Sequence, residues 1–240
     1  MASFSVRFLG CKVSYADAQA VRERLLGDGH VEAADAADVA VVNTCCVTHE
    51  AISKSRQAVS RAARSHGRVY VTGCGANLDG AFTAMPTNVT IVDGPSEELP
   101  TAVAGHVGAI ACVQADARVE RTRAFVKIQD GCSFSCAFCL IPLVRGGTRS
   151  RRVAAVLAEI ERRAAQGHRE VVLTGVNLGC FRDREAGFAG ASHSRGRLGP
   201  RRRAAAPLVD RGEPSGRRAH PCAARDGDGV APSARAASVR

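Results

Sequence analysis

The chain reads as short apolar runs separated by helix-periodic stretches. Phe4 to Leu9 alternates as a half-buried strand does, and Gly10 breaks it just before Cys11. Val13 to Leu26 places Ala18, Ala20, Val21 and Leu25 on one stripe, which predicts a helix stopped by Gly27 and Gly29. Val39 to Val42 is wholly apolar, as a strand buried on both faces of a parallel sheet is. It runs into Asn43-Thr44-Cys45-Cys46. Thr48 can cap the next helix, with Ala51, Ile52, Ser55 and Val59 on one side and Lys54, Arg56 and Arg61 on the other. Arg68 to Thr72 is a third strand, ending in Gly73-Cys74-Gly75, and Val89 to Val92 a fourth. Repeated strand, turn and helix predicts an open parallel α/β sheet over residues 1–108.

Pro95 to Gly108 is helix-like, and residues 109–121 read as a linker. Ala124 to Gln129 is apolar and β-branched, a strand that runs into DGCSFSCAFCLIP. Val153 to Gln166 is an amphipathic helix, with Val156, Leu157 and Ile160 inward and Glu159, Glu161, Arg162 and Arg163 mostly outward. Glu170 to Thr174 is a strand, followed by the turn Gly175-Val176-Asn177-Leu178-Gly179. Residues 122–190 therefore read as a second α/β domain.

From Ala191 the pattern stops. Residues 191–240 contain no Lys, Phe, Tyr, Ile, Met, Asn, Gln or Thr and hold no helical or strand period. Such a segment buries little apolar area, so disorder is the expectation. It carries eleven Arg against four acids, so most of the formal charge of +10 belongs to it. The rest of the chain is only mildly basic, which weakens charge as a sign of nucleic-acid binding. An Ala, Arg, Gly and Pro mixture is what a GC-rich gene gives when read out of frame. The expectation is a chain frameshifted or truncated after about Gly190.

No run of eighteen apolar residues is present, so no membrane helix is expected. Ten cysteines behind an N-terminus unlike a secretory segment point to the reducing cytoplasm. There thiols serve metals or catalysis more often than crosslinks.

Cys132, Cys136 and Cys139 have the spacing C-x3-C-x2-C. Three thiolates on one loop can hold three irons of a [4Fe–4S] cube and leave the fourth iron open. Ser133, Phe134, Ser135, Ala137 and Phe138 between them are uncharged, and Ile141 and Pro142 extend an apolar wall. A zinc site would pair C-x2-C with a second pair, and none follows; inert thiols remain the third reading. Cys11, Cys45 and Cys74 each fall just past a strand end, where open parallel sheets bind ligands. They could hold a second cluster or be three small core residues. Cys46 and Cys112 read as structural. Arg145, Arg149 and Arg151 could grip carboxylate or phosphate, or form a solvated turn.

The C-x3-C-x2-C loop resembles the signature of radical S-adenosylmethionine (SAM) enzymes. FLGCKVSYADA, VVNTCCVT and VTGCGA resemble the three cysteine motifs of the radical SAM methylthiotransferases. LGCKV, with Lys12 after the cysteine, is most similar to the branch acting on N6-threonylcarbamoyladenosine in tRNA. Ser14 and Cys46 stand where that branch often has Asn and Thr.

The resemblance implies two [4Fe–4S] clusters. Cys132, Cys136 and Cys139 would hold the one that binds SAM, and Cys11, Cys45 and Cys74 an auxiliary one. It implies methylthiolation at C2 of the adenosine, with tRNA as partner. Arg145 and Asn177 would lie in the SAM environment. The fold implied is the N-terminal α/β sheet, an incomplete radical SAM (βα) barrel, and no RNA-binding C-terminal domain. Weak or absent turnover is then expected, because the radical needs a closed barrel. A different radical SAM enzyme and an inactive iron–sulfur or RNA-binding fragment remain as other readings. The electron donor and sulfur source are not legible.

Overall fold

The structure is a computed structural model that describes residues 2–33, 37–108, 122–183 and 186–187. The linker expected over residues 109–121, the tail expected over residues 191–240, and Cys112 lie outside the described residues.

β1 (Ser3–Phe8) leads through Gly10 into α1 (Lys12–Gly27), then come β2 (Val31–Glu32) and β3 (Val39–Thr44). α2 (His49–Ser65), β4 (Arg68–Gly73), β5 (Val89–Ile91) and α3 (Leu99–Val107) complete the first half. The five strands make one parallel sheet in the order β2-β1-β3-β4-β5. The two-residue edge strand β2 carries no apolar pattern of its own. It forms because the chain leaving α1 passes beside β1, pairing Ser3 with Val31.

β3 shows why a wholly apolar run marks a central strand. Val39 and Val41 join Phe4, Val21, Leu25, Tyr70 and Val103 under α1 and α3. Ala40 and Val42 join Ala58, Val59, Val69 and Val71 under α2. Each valine buried this way contributes roughly 1.5–3 kcal/mol. Thr48 caps α2 as its sequence suggests, its Oγ1 accepting from Ala51 N at 3.0 Å.

β6 (Arg123–Asp130), α4 (Ile141–Arg145), β7 (Arg149–Ser150), α5 (Val153–Ala165) and β8 (Glu170–Gly175) build a second sheet in the order β7-β6-β8. β6 and β8 are parallel and α5 crosses between them, a single βαβ unit. Val156 and Ile160 of α5 pack on Val126, Ile128, Leu173 and Phe181. β7 is antiparallel to β6. β9 (Arg182–Asp183) and β10 (Ala186–Gly187) form a short antiparallel pair.

α1 serves both sheets. Its Tyr15 ring packs edge-to-face with Phe125, ring centroids 5.3 Å apart, and Asp17 meets Lys127. It therefore buries Ser14 and Asp17 as well as its apolar stripe. Arg163, expected outward, is only 5% exposed, because Glu23 of α1 and Glu159 draw it in. Among the described residues no helix is long and apolar enough to cross a membrane.

Candidate metal centre

β1, β3 and β4 are neighbours and run parallel, so their C-terminal ends share one rim of the sheet. Cys11, Cys45 and Cys74 leave from that rim. Gly10, at φ +123°, lets the turn after β1 lie against Cys45; a Cβ there would stand 3.3 Å from Cys45 Sγ. Ser55 of α2 pins Cys45 twice, accepting from its N–H at 3.1 Å and donating to its carbonyl at 3.0 Å. Asn43, fully buried at the end of β3, accepts from Ser14 Oγ. Its Nδ2 has no hydrogen-bond partner among the described residues.

Burial holds the Cys74 thiol above its ordinary value. Arg145 opposes this by charge and hydrogen bond, while Cys45 and Cys11 add to it. Cys46 is pushed up to about 12, by burial first and then by Cys74 and Cys45. Its thiol donates to the Cys74 carbonyl at 3.3 Å, which fits the structural role expected of it.

The Cys132–Cys139 loop leaves the end of β6. Gly131 sits at φ +67°, where a Cβ would come within 2.0 Å of Gly147 O. Cys132 N donates to Gly146 O at 3.0 Å, and Ser133 and Thr148 exchange side-chain to backbone bonds at 3.0 and 2.9 Å. The Arg-Gly-Gly-Thr segment thus straps the root of the loop. Its far side is open: Cys136 is exposed and Phe138 is 92% exposed. The apolar wall expected there is not buried, because no described element packs over it.

Between the two cysteine sets lies a charge network. Arg145 is buried, and its Nε donates to Cys74 Sγ at 2.9 Å. Its Nη1 reaches Asp130 Oδ1 and its Nη2 Asp17 Oδ2, both at 2.9 Å. Lys127 bonds the same two carboxylates and Ser96. Burial would raise the Asp130 carboxyl, but Lys127, Arg145 and Ser96 outweigh it and hold it well below the carboxylate range. A cavity of about 280 Å³ opens here, bounded by Cys74, Asn77, Ser96, Asp130 and Arg145.

Arg145, expected in the SAM environment, directs its donors to Cys74, Asp130 and Asp17. Arg149 goes to Glu97 and the Arg145 carbonyl, and Arg151 to Glu159 and the Lys127 carbonyl. Asn177 sits past the end of β8, its N–H donating to Gln129 Oε1 at 2.6 Å. Asp17, Lys127 and Ser96 were missed by sequence reasoning; a lone acid in a helix stripe was the only trace of Asp17.

Among the described residues no three His, Cys, Asp or Glu side chains are closed to metal-binding distance. The donor sets still suit a soft metal centre: one rim gathers three cysteines, and one short loop carries three more. The chain is thus an α/β protein with two cysteine triplets at strand ends.

Residues 3–93 match the family described as Uncharacterized protein family UPF0004. Threonylcarbamoyladenosine tRNA methylthiotransferase MtaB of Chlamydia pneumoniae is 34% identical over 194 residues, 78% of this chain and 46% of the relative. MtaB of Bacillus subtilis (strain 168) is 35% identical over 203 residues, 75% of this chain and 45% of the relative. Ribosomal protein uS12 methylthiotransferase RimO of Thermus thermophilus is 32% identical over 194 residues, 75% of this chain and 44% of the relative. The solved radical S-adenosylmethionine methyltransferase TsrM from Kitasatospora setae, with tryptophan and a SAM analog bound, is 15% identical at a TM-score of 0.46, over 74% of this chain and 48% of that one. Over about three quarters of its length the chain is similar to these methylthiotransferases. It spans somewhat less than half the length of the curated relatives it matches.

Proposed function

We propose that this chain carries the cluster-binding part of a cytoplasmic tRNA methylthiotransferase that acts at C2 of N6-threonylcarbamoyladenosine. Cys132, Cys136 and Cys139 hold a [4Fe–4S] cluster that binds SAM, and Cys11, Cys45 and Cys74 hold an auxiliary one. The observation that carries this reading is the rim of β1, β3 and β4. It gathers three cysteines far apart in sequence, and Arg145 links it to the root of the C-x3-C-x2-C loop.

Bound SAM supplies both the methyl group and the radical that such chemistry needs. The chain's own residues bind and orient. Gly131, Ser133 and Thr148 fix where the loop thiols begin, and Ser55 fixes Cys45 within the rim. Asn177, past the end of β8, would meet SAM. The branch rests on the two MtaB relatives and on the LGCKV motif, and the tRNA substrate comes with it.

Anaerobic reconstitution with iron and sulfide tests this reading. About eight irons per chain are expected, falling to about four in Cys136→Ala and again in Cys45→Ala. SAM cleavage to 5′-deoxyadenosine should survive Cys45→Ala and vanish in Cys136→Ala. Four or fewer irons in the unaltered chain, with no SAM cleavage, would overturn it in favour of an inactive iron–sulfur fragment.

A further inference from the structure

Arg145 divides its guanidinium among three acceptors on three parts of the fold: Cys74 after β4, Asp17 in α1 and Asp130 at the end of β6. A planar fork with fixed donors suits that task, and an ammonium does not. The network is charge-balanced without the thiols, since Lys127 and Arg145 face Asp17 and Asp130. The bond to Cys74 is therefore an addition to the ion pairs. Asp130 stands two residues before Cys132 and also accepts from Gly131 N at 2.8 Å. One side chain thus joins a sulfur of one triplet to the root of the other.

We propose that Arg145 is a positioning residue that sets the reduction potential of a cluster held by Cys11, Cys45 and Cys74. This rests on the reading of those cysteines as cluster ligands. A donor and a positive charge on a ligand sulfur favour the reduced, more negative cluster and so raise its potential. Burial strengthens the effect, because little water is present to screen it. The two anchoring carboxylates keep the Nε aimed at Cys74 rather than at solvent.

The test is made in the full chain carrying Cys132→Ala, Cys136→Ala and Cys139→Ala, which leaves only the rim cysteines to bind a cluster. Arg145→Gln is paired with Asp17→Asn so that no buried carboxylate is stranded, and Arg145→Lys is the charge-keeping variant. Iron content is counted, and the midpoint potential is read by EPR during mediator titration with dithionite. The parent should hold about four irons. The paired variant should keep them and shift to a more negative midpoint than Asp17→Asn alone. Arg145→Lys should shift less, in the same direction, and Arg149→Gln should leave the midpoint in place. An unchanged midpoint with iron retained overturns the role of Arg145 alone. Iron lost from Arg145→Lys makes the residue a structural prop and overturns it too. A parent without iron overturns the ligand assignment beneath it.

Discussion

Asp17 and Lys127 stand 110 residues apart in the chain, yet Lys127 Nζ lies 2.5 Å from Asp17 Oδ1. The Asp17 side chain is 1% exposed, so this pair is a buried clasp between the helix of one sheet and the central strand of the other. Such a pair is stabilising only while it is whole, because each charge left alone keeps its desolvation cost.

Asp17→Ala should therefore destabilise the chain by roughly 3–5 kcal/mol, with Lys127 and Arg145 losing a shared carboxylate. Asp17→Leu combined with Lys127→Met removes one charge of each sign and leaves Arg145 on Asp130. Most of the stability should return. Urea unfolding of the variants checks this, and a double variant no better than the single one would contradict the clasp.

Gly131→Ala tests the strap under the Cys132 loop. The left-handed backbone costs an alanine roughly 1–2 kcal/mol, and its Cβ would collide with Gly147 O. Gly147 is backbone and cannot rotate away, so the loop root must move. After reconstitution the variant should lose the loop cluster, about half of the iron, while the rim set keeps its share. A full iron content would show that the strap does not set the loop.

These two sites mark what the sequence could and could not disclose. Val39 to Val42 announced a central strand because four apolar residues need burial on both faces. Thr48 announced a helix start through its hydroxyl. The strand-end cysteines were legible because parallel strands bring their ends together whatever lies between them. β2 was not legible: its two residues pair because of where α1 ends. Arg163 was misplaced: it looks like a solvent arginine on α5 and is drawn in by Glu23 of α1. Arg145 offered its fork to a carboxylate or phosphate, but nothing local to it named Asp17 of α1 as one of the acids it meets. No local periodicity encodes a partner more than a hundred residues away.

Thr48→Ala should cost about 1 kcal/mol, because α2 loses the acceptor for Ala51 N. Thr48→Ser should cost a small part of that. Thr48 lies three residues from Cys45, yet it is exposed and its bond is to its own helix. Iron content should be unchanged, measured beside the thermal melt. Loss of iron would mean that the start of α2 positions Cys45 through more than Ser55.

Glu23 supplies the pH dependence of the seam between α1 and α5. Burial would raise its carboxyl above the ordinary 4.5, but the Arg163 charge and bonds from Gln19, Arg163 and Arg162 outweigh it and leave it lowered. A carboxyl lowered in the folded state adds stability that is fully present above its ordinary value. That stability is lost as the pH falls through the folded value. Glu23→Gln should therefore be less stable than the unaltered chain at neutral pH. The deficit should be about 1–2 kcal/mol, between an exposed and a fully buried pair, since the Glu23 side chain is 16% exposed. Below about pH 4.5 the gap should narrow and close as Glu23 itself takes a proton. Paired urea titrations from pH 7 to pH 3 measure it, and a gap that stays constant across that range would remove Glu23 from the acid response of the seam.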